Sequence, residues 1–179
     1  MVHDRLFDRK RVGEGPATAD LVDKWKDALD SCDVQFGDYG GRARFDGTVT
    51  TLRCWQDNAL LKATLRQPSR GRVLVVDGGG SLGAALLGDT IGQIAVDNGW
   101  AGVIVYGAIR DVKAVRALNL GVKALGSNPR ASGKVGVGQR DVPVQIGSVW
   151  FAPGMLVFAD EDGIVVTRDR LHAEPAERV

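Results

Sequence analysis

Three residues of this chain have the types and spacing to do chemistry together: Asp89, Arg110 and Asp111. Carboxylates accept protons from a substrate or from water, and a guanidinium grips a small anion through paired N–H donors. Asp89 directly precedes a helix expected to begin at Thr90. Arg110-Asp111 follows the apolar run 102–106 and precedes a helix expected over about 112–118. Both places are strand-to-helix junctions. In an open α/β sheet such junctions share one end, the crevice at the carboxyl ends of the strands where ligands bind. A helix start there adds backbone N–H groups and a positive dipole end that attract anions. Taken singly, each aspartate also reads as a helix N-cap and the arginine as a surface residue. Their joint placement is what points to one small-anion site.

The elements that must position these residues are legible from periodicity. Thr18 can cap a helix running to about Leu29, with Leu21, Val22, Trp25 and Leu29 near one face. The stretch 37–41, with its three glycines and Asp38, reads as a loop, and Phe45–Leu52 is rich in β-branched residues. Asp57 then caps a helix to about Leu65 that Pro68 stops. Val73-Leu74-Val75-Val76 is a continuous apolar run, the mark of a strand buried on both faces. A helix over about Thr90–Asn98, a strand at 102–106, the short helix and a strand at 122–125 follow. This βαβαβ order predicts parallel pairing with right-handed crossovers. Four short strands at 142–146, 148–151, 155–159 and 163–167 predict antiparallel hairpins. The expected fold class is therefore α/β, a mixed sheet with a parallel βαβαβ centre and antiparallel C-terminal strands. Residues 1–16 read as a polar extension and 17–179 as one domain.

Bulk properties exclude several classes. With 23 basic and 22 acidic residues the net charge is +1, so direct nucleic-acid binding is not expected. The local cluster Arg5, Arg9, Lys10 and Arg11 reads as a solvated terminus. No apolar run approaches the roughly 20 residues that span a bilayer, and the polar start lacks a signal-peptide core, so the expected location is the cytoplasm, without membrane contact. Cys32 and Cys54 lack metal-finger spacing, and the two histidines, His3 and His172, lie near the two ends. The thiols read as reduced and partly buried, and a structural zinc site is not expected. Gly78-Gly79-Gly80-Ser81-Leu82-Gly83 matches the G-x-G-x-x-G pattern of dinucleotide sites, but no acidic residue closes the next strand, which ends Tyr106-Gly107-Ala108-Ile109-Arg110. The glycines are better explained by positive φ or close packing.

Asp89, twenty intervening residues, then Arg110-Asp111 reproduces the D-x20-R-D pattern of class II pyruvate aldolases acting on 4-hydroxy-4-methyl-2-oxoglutarate. The flanks at 76–82, 98–102, 106–111, 121–126 and 159–164 follow in the same order. Over about residues 17–168 the chain thus resembles the RraA-like family. The resemblance implies a swivelling β/β/α fold and a homotrimer, in some members doubled to a hexamer. It also implies a divalent metal cation, Mg2+ or Mn2+, held by Asp111. Arg110 would contact the substrate carboxylate and the developing enolate oxygen. Gly88, Asp89, Thr90 and Ile91 would form the substrate loop, with Asp89 orienting a water that takes the substrate hydroxyl proton.

The implied activity is that of a lyase generating pyruvate enolate, by retro-aldol cleavage or oxaloacetate decarboxylation. Both leave negative charge on one oxygen, where a Lewis acid and a fixed guanidinium are effective. A Schiff-base route would instead use Lys62, Lys113 or Lys123. The family also contains regulators that inhibit ribonuclease E by protein contact, so a ribonuclease or helicase partner is the alternative. Some regulators lack the aspartate after the arginine, which this chain has. The longer aldolases borrow a C-terminal glutamate from a neighbouring subunit, and neither Glu174 nor Glu177 is assignable to it.

Overall fold

A computed structural model describes residues 15–167. His3, the basic cluster at 5–11, His172, Glu174 and Glu177 lie outside the described residues. In chain order the elements are α1 (Thr18–Trp25), a 3₁₀ turn (Lys26–Ala28), β1 (Leu29–Ser31), β2 (Gly37–Asp38), β3 (Phe45–Arg53), α2 (Ala59–Leu65), β4 (Val73–Asp77) and β5 (Ala85–Leu87). There follow α3 (Asp89–Asp97), β6 (Gly102–Ile109), α4 (Val112–Val115), β7 (Gly121–Ser127), β8 (Gln139–Arg140), β9 (Val144–Ile146), β10 (Val149–Phe151), β11 (Leu156–Asp160) and β12 (Gly163–Thr167).

The main sheet runs β1-β12-β11-β3-β4-β6-β7-β2, with β5 added to β6 and β8 to β3. Its centre, β3-β4-β6-β7, is parallel throughout. The β11–β12 hairpin continues it antiparallel beyond β3. The expected fold, a mixed α/β sheet with parallel and antiparallel strands, is what forms.

Alternation along the buried strands explains the layers. Leu74, Val76, Val103 and Val105 face one core with Leu61, Leu65 and Ile91 of the helices. Val73, Val75 and Ile104 face another with Val144, Ile146, Phe151, Val157 and Val166. Each such side chain, taken fully out of water, contributes roughly 1.5–3 kcal/mol before chain entropy is charged against it. Two-sided burial is why these strands read as continuous apolar runs rather than alternating ones.

Three local expectations need correction. The first helix stops at Trp25 rather than Leu29, because Lys26 takes φ 39° and Leu29 is drawn into β1, paired with Thr167 and packed near Phe158 and Val165. Thr18 does not cap that helix. Ala17 holds the N-cap position without any side-chain cap bond, and the Thr18 hydroxyl and N–H donate instead to the buried Asp160 carboxylate at 2.6 and 2.7 Å. The helix after Arg110-Asp111 is a single turn, its continuation being i→i+3 bonds from Ala117 and Leu118 N–H to Ala114 and Val115 carbonyls.

Candidate active site

The site sits where β5 and β6 end beside the starts of α3 and α4. Parallel pairing of β5 with β6 places Leu87 next to Ile109, and Arg110 N–H donates to the Leu87 carbonyl at 2.9 Å. That bond stitches the two junctions together, so Gly88-Asp89 and Arg110-Asp111 become neighbours although about twenty residues separate them in sequence. The sequence-based expectation of one gathered cluster holds geometrically.

Asp111 has φ 54° and ψ 41°, the left-handed region that few non-glycine residues adopt. This turn sends the chain from β6 into α4 and aims the Asp111 carboxylate back across the junction. It does not cap its own helix. Its Oδ2 lies 3.4 Å from the Asp89 N–H and 3.4 Å from Arg110 Nε. Both contacts are loose, and an ion pair this exposed adds little stability. Strain at a residue that does little for stability is the pattern of a functional position.

Gly88 makes the arrangement sterically feasible. A Cβ there would lie 2.5 Å from Asp111 Oδ2, 3.1 Å from Arg110 Cγ and 3.3 Å from Arg110 Nε. Its φ of −137° is ordinary, so the need for glycine comes from the two side chains packed over it and not from backbone conformation.

Asp89 occupies the first turn of α3, with Gly88 as the N-cap. Its Oδ1 accepts from Thr90 N–H at 2.6 Å and Thr90 Oγ at 3.2 Å. Thr90 therefore fixes the carboxylate at the helix start. Ile91 turns its side chain into the helix-side core and offers the site backbone only. A groove of about 560 Å³ opens beside Asp89 and Thr90 and continues between α3 and α4 past Gln93, Ile94, Ala114 and Leu118. Arg110 and Asp111 are not among the residues that line it.

The donor set bears on a divalent cation. No cluster of three or more His, Cys, Asp or Glu able to hold one occurs among the described residues. Magnesium, however, is commonly held by one or two carboxylates while keeping several waters, and half-exposed Asp111 with Asp89 nearby fits that mode and not a closed zinc site.

The lysines expected as Schiff-base candidates separate clearly. Lys123 is 1% exposed, ion-paired with Asp38 at 2.7 Å and hydrogen-bonded to the Asp160 carbonyl, a sealed structural cation. Lys62 and Lys113 lie on helices at the surface side. The glycine loop is likewise structural. It leads into strand β5, not a helix; the Trp55 ring covers Gly79, and Tyr106 lies against Gly80. Cys32 and Cys54 are free and buried, and burial, reinforced by Asp57 and Asp77, pushes the Cys54 thiol up to about 12. No helix among the described residues is long and apolar enough to cross a membrane.

Sequence reasoning missed the left-handed turn at Asp111 and the packing of Arg110 and Asp111 on Gly88. A short polar residue before a helix is the only local signal for the first. The second depends on a contact across strands.

A family model described as RraA-like, Aldolase/RraA, matches residues 18–166. The chain is 44% identical to a Geobacillus kaustophilus protein named S-adenosylmethionine:2-dimethylmenaquinone methyltransferase, covering 90% of this chain and 100% of that one with a TM-score of 0.86. It is 40% identical to the RNA-processing inhibitor RraA from Thermus thermophilus, over 92% of this chain and 98% of that one, TM-score 0.85. With Streptomyces coelicolor RraAS2, of the RNase ES inhibitor RraA family, it shares 33% identity over 76% and 71% of the two chains, TM-score 0.65.

Proposed function

The chain belongs to the RraA-like family, and from that premise we propose that it is a divalent-metal-dependent lyase that releases pyruvate from 4-hydroxy-2-oxo acids of the 4-hydroxy-4-methyl-2-oxoglutarate type, or from oxaloacetate. The observation that carries this reading is Asp111, held in a left-handed turn with its carboxylate 3.4 Å from both Arg110 Nε and the Asp89 N–H.

Each residue has a task. Arg110 binds the 2-oxo-acid carboxylate and sets fixed positive charge beside the oxygen that becomes negative as the bond breaks. The α3 start sets its positive dipole end beside the same anion, while its Asp89 and Thr90 N–H groups are engaged by the Asp111 and Asp89 carboxylates. Asp89, oriented by Thr90, holds the water that takes the C4 hydroxyl proton. Asp111, assisted by Asp89, would hold Mg2+ or Mn2+. A bound cation of this kind supplies Lewis acidity toward the substrate's keto oxygen. Gly88 keeps Arg110 and Asp111 close to the loop that receives the substrate.

Pyruvate release, followed with added magnesium or manganese and abolished by chelator, tests the reading. The Asp111→Asn variant separates charge from backbone, because asparagine tolerates the left-handed turn that alanine does not. Pyruvate release unchanged in Asp111→Asn would remove Asp111 from the mechanism.

The likeness to the Thermus RNA-processing inhibitor supports a second reading, regulation of a ribonuclease by protein contact. Inhibition of ribonuclease E by the wild-type chain, retained in Asp111→Asn while no pyruvate forms from any 2-oxo acid, would favour it. The oligomer expected from the family, a trimer or hexamer, is read by light scattering on the full chain.

A further inference from the structure

Strand β5 delivers Gly88 and Asp89 to the site, yet little in its own sequence holds it. It is three residues long, has no β-branched side chain, and its register with β6 shifts between Ala85 and Leu87. Its place has to be set from outside, and the loop after β7 does this through Asn128. The Asn128 N–H donates to the Ile109 carbonyl at 2.9 Å, one residue before Arg110. Its side-chain Nδ2 donates to the Leu82 carbonyl at 2.7 Å, in the glycine loop that leads into β5. Its Oδ1 accepts from the Arg130 N–H at 2.9 Å, and the Arg130 carbonyl in turn accepts from the Ala85 N–H at 2.8 Å, beside the Ala85–Ala131 bridge. The Asn128 backbone therefore grips the end of β6, while its side chain grips the approach to β5 and the loop that carries the first residue of β5. An amide suits this place because it presents a donor and an acceptor on neighbouring atoms.

We propose that Asn128 is a positioning residue for the lyase site: its side-chain amide sets β5, and with it Gly88 and Asp89, against the β6 end that carries Arg110 and Asp111. The inference rests on the lyase reading above. It makes the two reactions respond unequally to loss of the amide. In the retro-aldol reaction the C4 hydroxyl gives its proton to the water held by Asp89, the C3–C4 bond breaks, and its electron pair passes to C3 as the pyruvate enolate, while C4 becomes a carbonyl. In oxaloacetate decarboxylation the C3–C4 bond breaks in the same sense, the pair forms the same enolate and C4 leaves as carbon dioxide, with no hydroxyl proton to be taken. In both, C3 then takes a proton from water. A displaced β5 misplaces Asp89, which the first reaction needs for its proton. Arg110 and Asp111 sit on β6, whose end keeps the Asn128 backbone bond, so the second reaction loses less.

Two measurements on the full chain test this. Pyruvate release from 4-hydroxy-4-methyl-2-oxoglutarate and from oxaloacetate, in magnesium and over the metal-only background, is compared between wild type and Asn128→Ala. The groups left behind belong to the exposed Leu82 and Arg130, where water takes over their bonds, so the variant should fold. Its ratio of retro-aldol to decarboxylation kcat should fall about tenfold or more, with KM for oxaloacetate near wild type. Asn128→Asp, of the same shape and able to keep the Arg130 bond but not the Leu82 one, should shift the ratio the same way. Hydrogen exchange at the Ala85 and Arg110 amides should quicken about tenfold in Asn128→Ala, while the amides at 103–105 in the middle of β6 keep their wild-type rates. A purely structural role would lower both reactions together. An unchanged ratio in both variants, or wild-type exchange at Ala85 and Arg110, overturns the assignment. Quickened exchange at those two amides, with no pyruvate formed by the wild type from either substrate, overturns the lyase reading and leaves the hold of Asn128 on β5 standing.

Discussion

Replacing Gly88 by alanine should damage the site while sparing the fold. The backbone there is extended at φ −137°, so alanine meets no conformational penalty, and at that place it even reduces unfolded-chain entropy. The added Cβ would lie 2.5 Å from Asp111 Oδ2, closer than real contacts come, and 3.1 Å from Arg110 Cγ, tight enough that this side chain too must give. Both neighbours are half-exposed side chains free to swing outward, so relief is cheap in stability. It is expensive in geometry, because both must leave the position in which they face the α3 start. Displacing a catalytic group by about 1 Å costs on the order of 100-fold in rate. At about 1.36 kcal/mol per tenfold, that is about 2.7 kcal/mol of transition-state stabilisation. Gly88→Ala should therefore lower kcat/KM for pyruvate release about 100-fold while its urea midpoint stays close to wild type. A coupled pyruvate assay beside urea denaturation reads both. Wild-type kcat/KM in a folded Gly88→Ala protein would mean that the positions of Arg110 and Asp111 do not matter.

Other outcomes follow from the same structure. Lys123→Ala strands the Asp38 carboxylate and opens a cavity in a 1% exposed position, so chemical denaturation should show a loss of about 3 kcal/mol or more, with Lys123→Met recovering part of it by filling volume. Gly121→Ala drives a methyl group into the Phe45 ring packed over Gly102 and Gly121, and overpacking of this kind should cost about 1–3 kcal/mol in the same assay without altering the residual protein's kcat. Acid should unfold the chain partly through Asp160. Burial alone would raise its carboxyl, but hydrogen bonds from the Thr18 hydroxyl and N–H and the Asp162 N–H, with Arg44 nearby, outweigh it and hold it below the usual carboxylate range. A folded-state pKa below the unfolded one stabilises at neutral pH, and that stability is lost as pH falls through the carboxylate range and below. Thr18→Val should thus flatten the acid limb of a stability-against-pH curve, and an unchanged limb would contradict the assignment.

The sequence carried the parallel centre well, because two-sided burial writes continuous apolar runs such as 73–76 and 102–106 whose meaning does not depend on distant partners. The tail hairpins were legible from glycine, proline and aspartate punctuation. Edge elements were not. The two-residue strands β2 and β8 and the three-residue β1 exist only because a neighbour offers them a ladder. Strand β5 was hidden in the same way: Ala85-Leu86-Leu87 has no β-branched residue, and it is pairing with β6 that extends it. For the site, residue types and the twenty-residue spacing marked Asp89, Arg110 and Asp111 correctly as neighbours. The left-handed turn at Asp111 left only a short polar residue before a helix as its trace, and the load of two side chains on Gly88 left none, since it arises across the junction that the Leu87–Arg110 bond joins. Asp57 shows the same limit. Its position predicts a helix cap, and it does accept from Ala59 N–H, but it also accepts from the Val135 and Gly136 N–H groups and so pins a loop nearly eighty residues away.

If the proposed chemistry holds, the Asp111 carboxylate, poised between Arg110 and the α3 start, is required for pyruvate formation. The most direct measurement is lactate dehydrogenase-coupled pyruvate release from oxaloacetate and 4-hydroxy-4-methyl-2-oxoglutarate with magnesium, for wild type and for Asp111→Asn of verified folding. Metal-dependent pyruvate release by the wild type and a fall of at least about 100-fold in the variant are expected. Equal rates in the two proteins, or wild-type release indifferent to chelator, would contradict it.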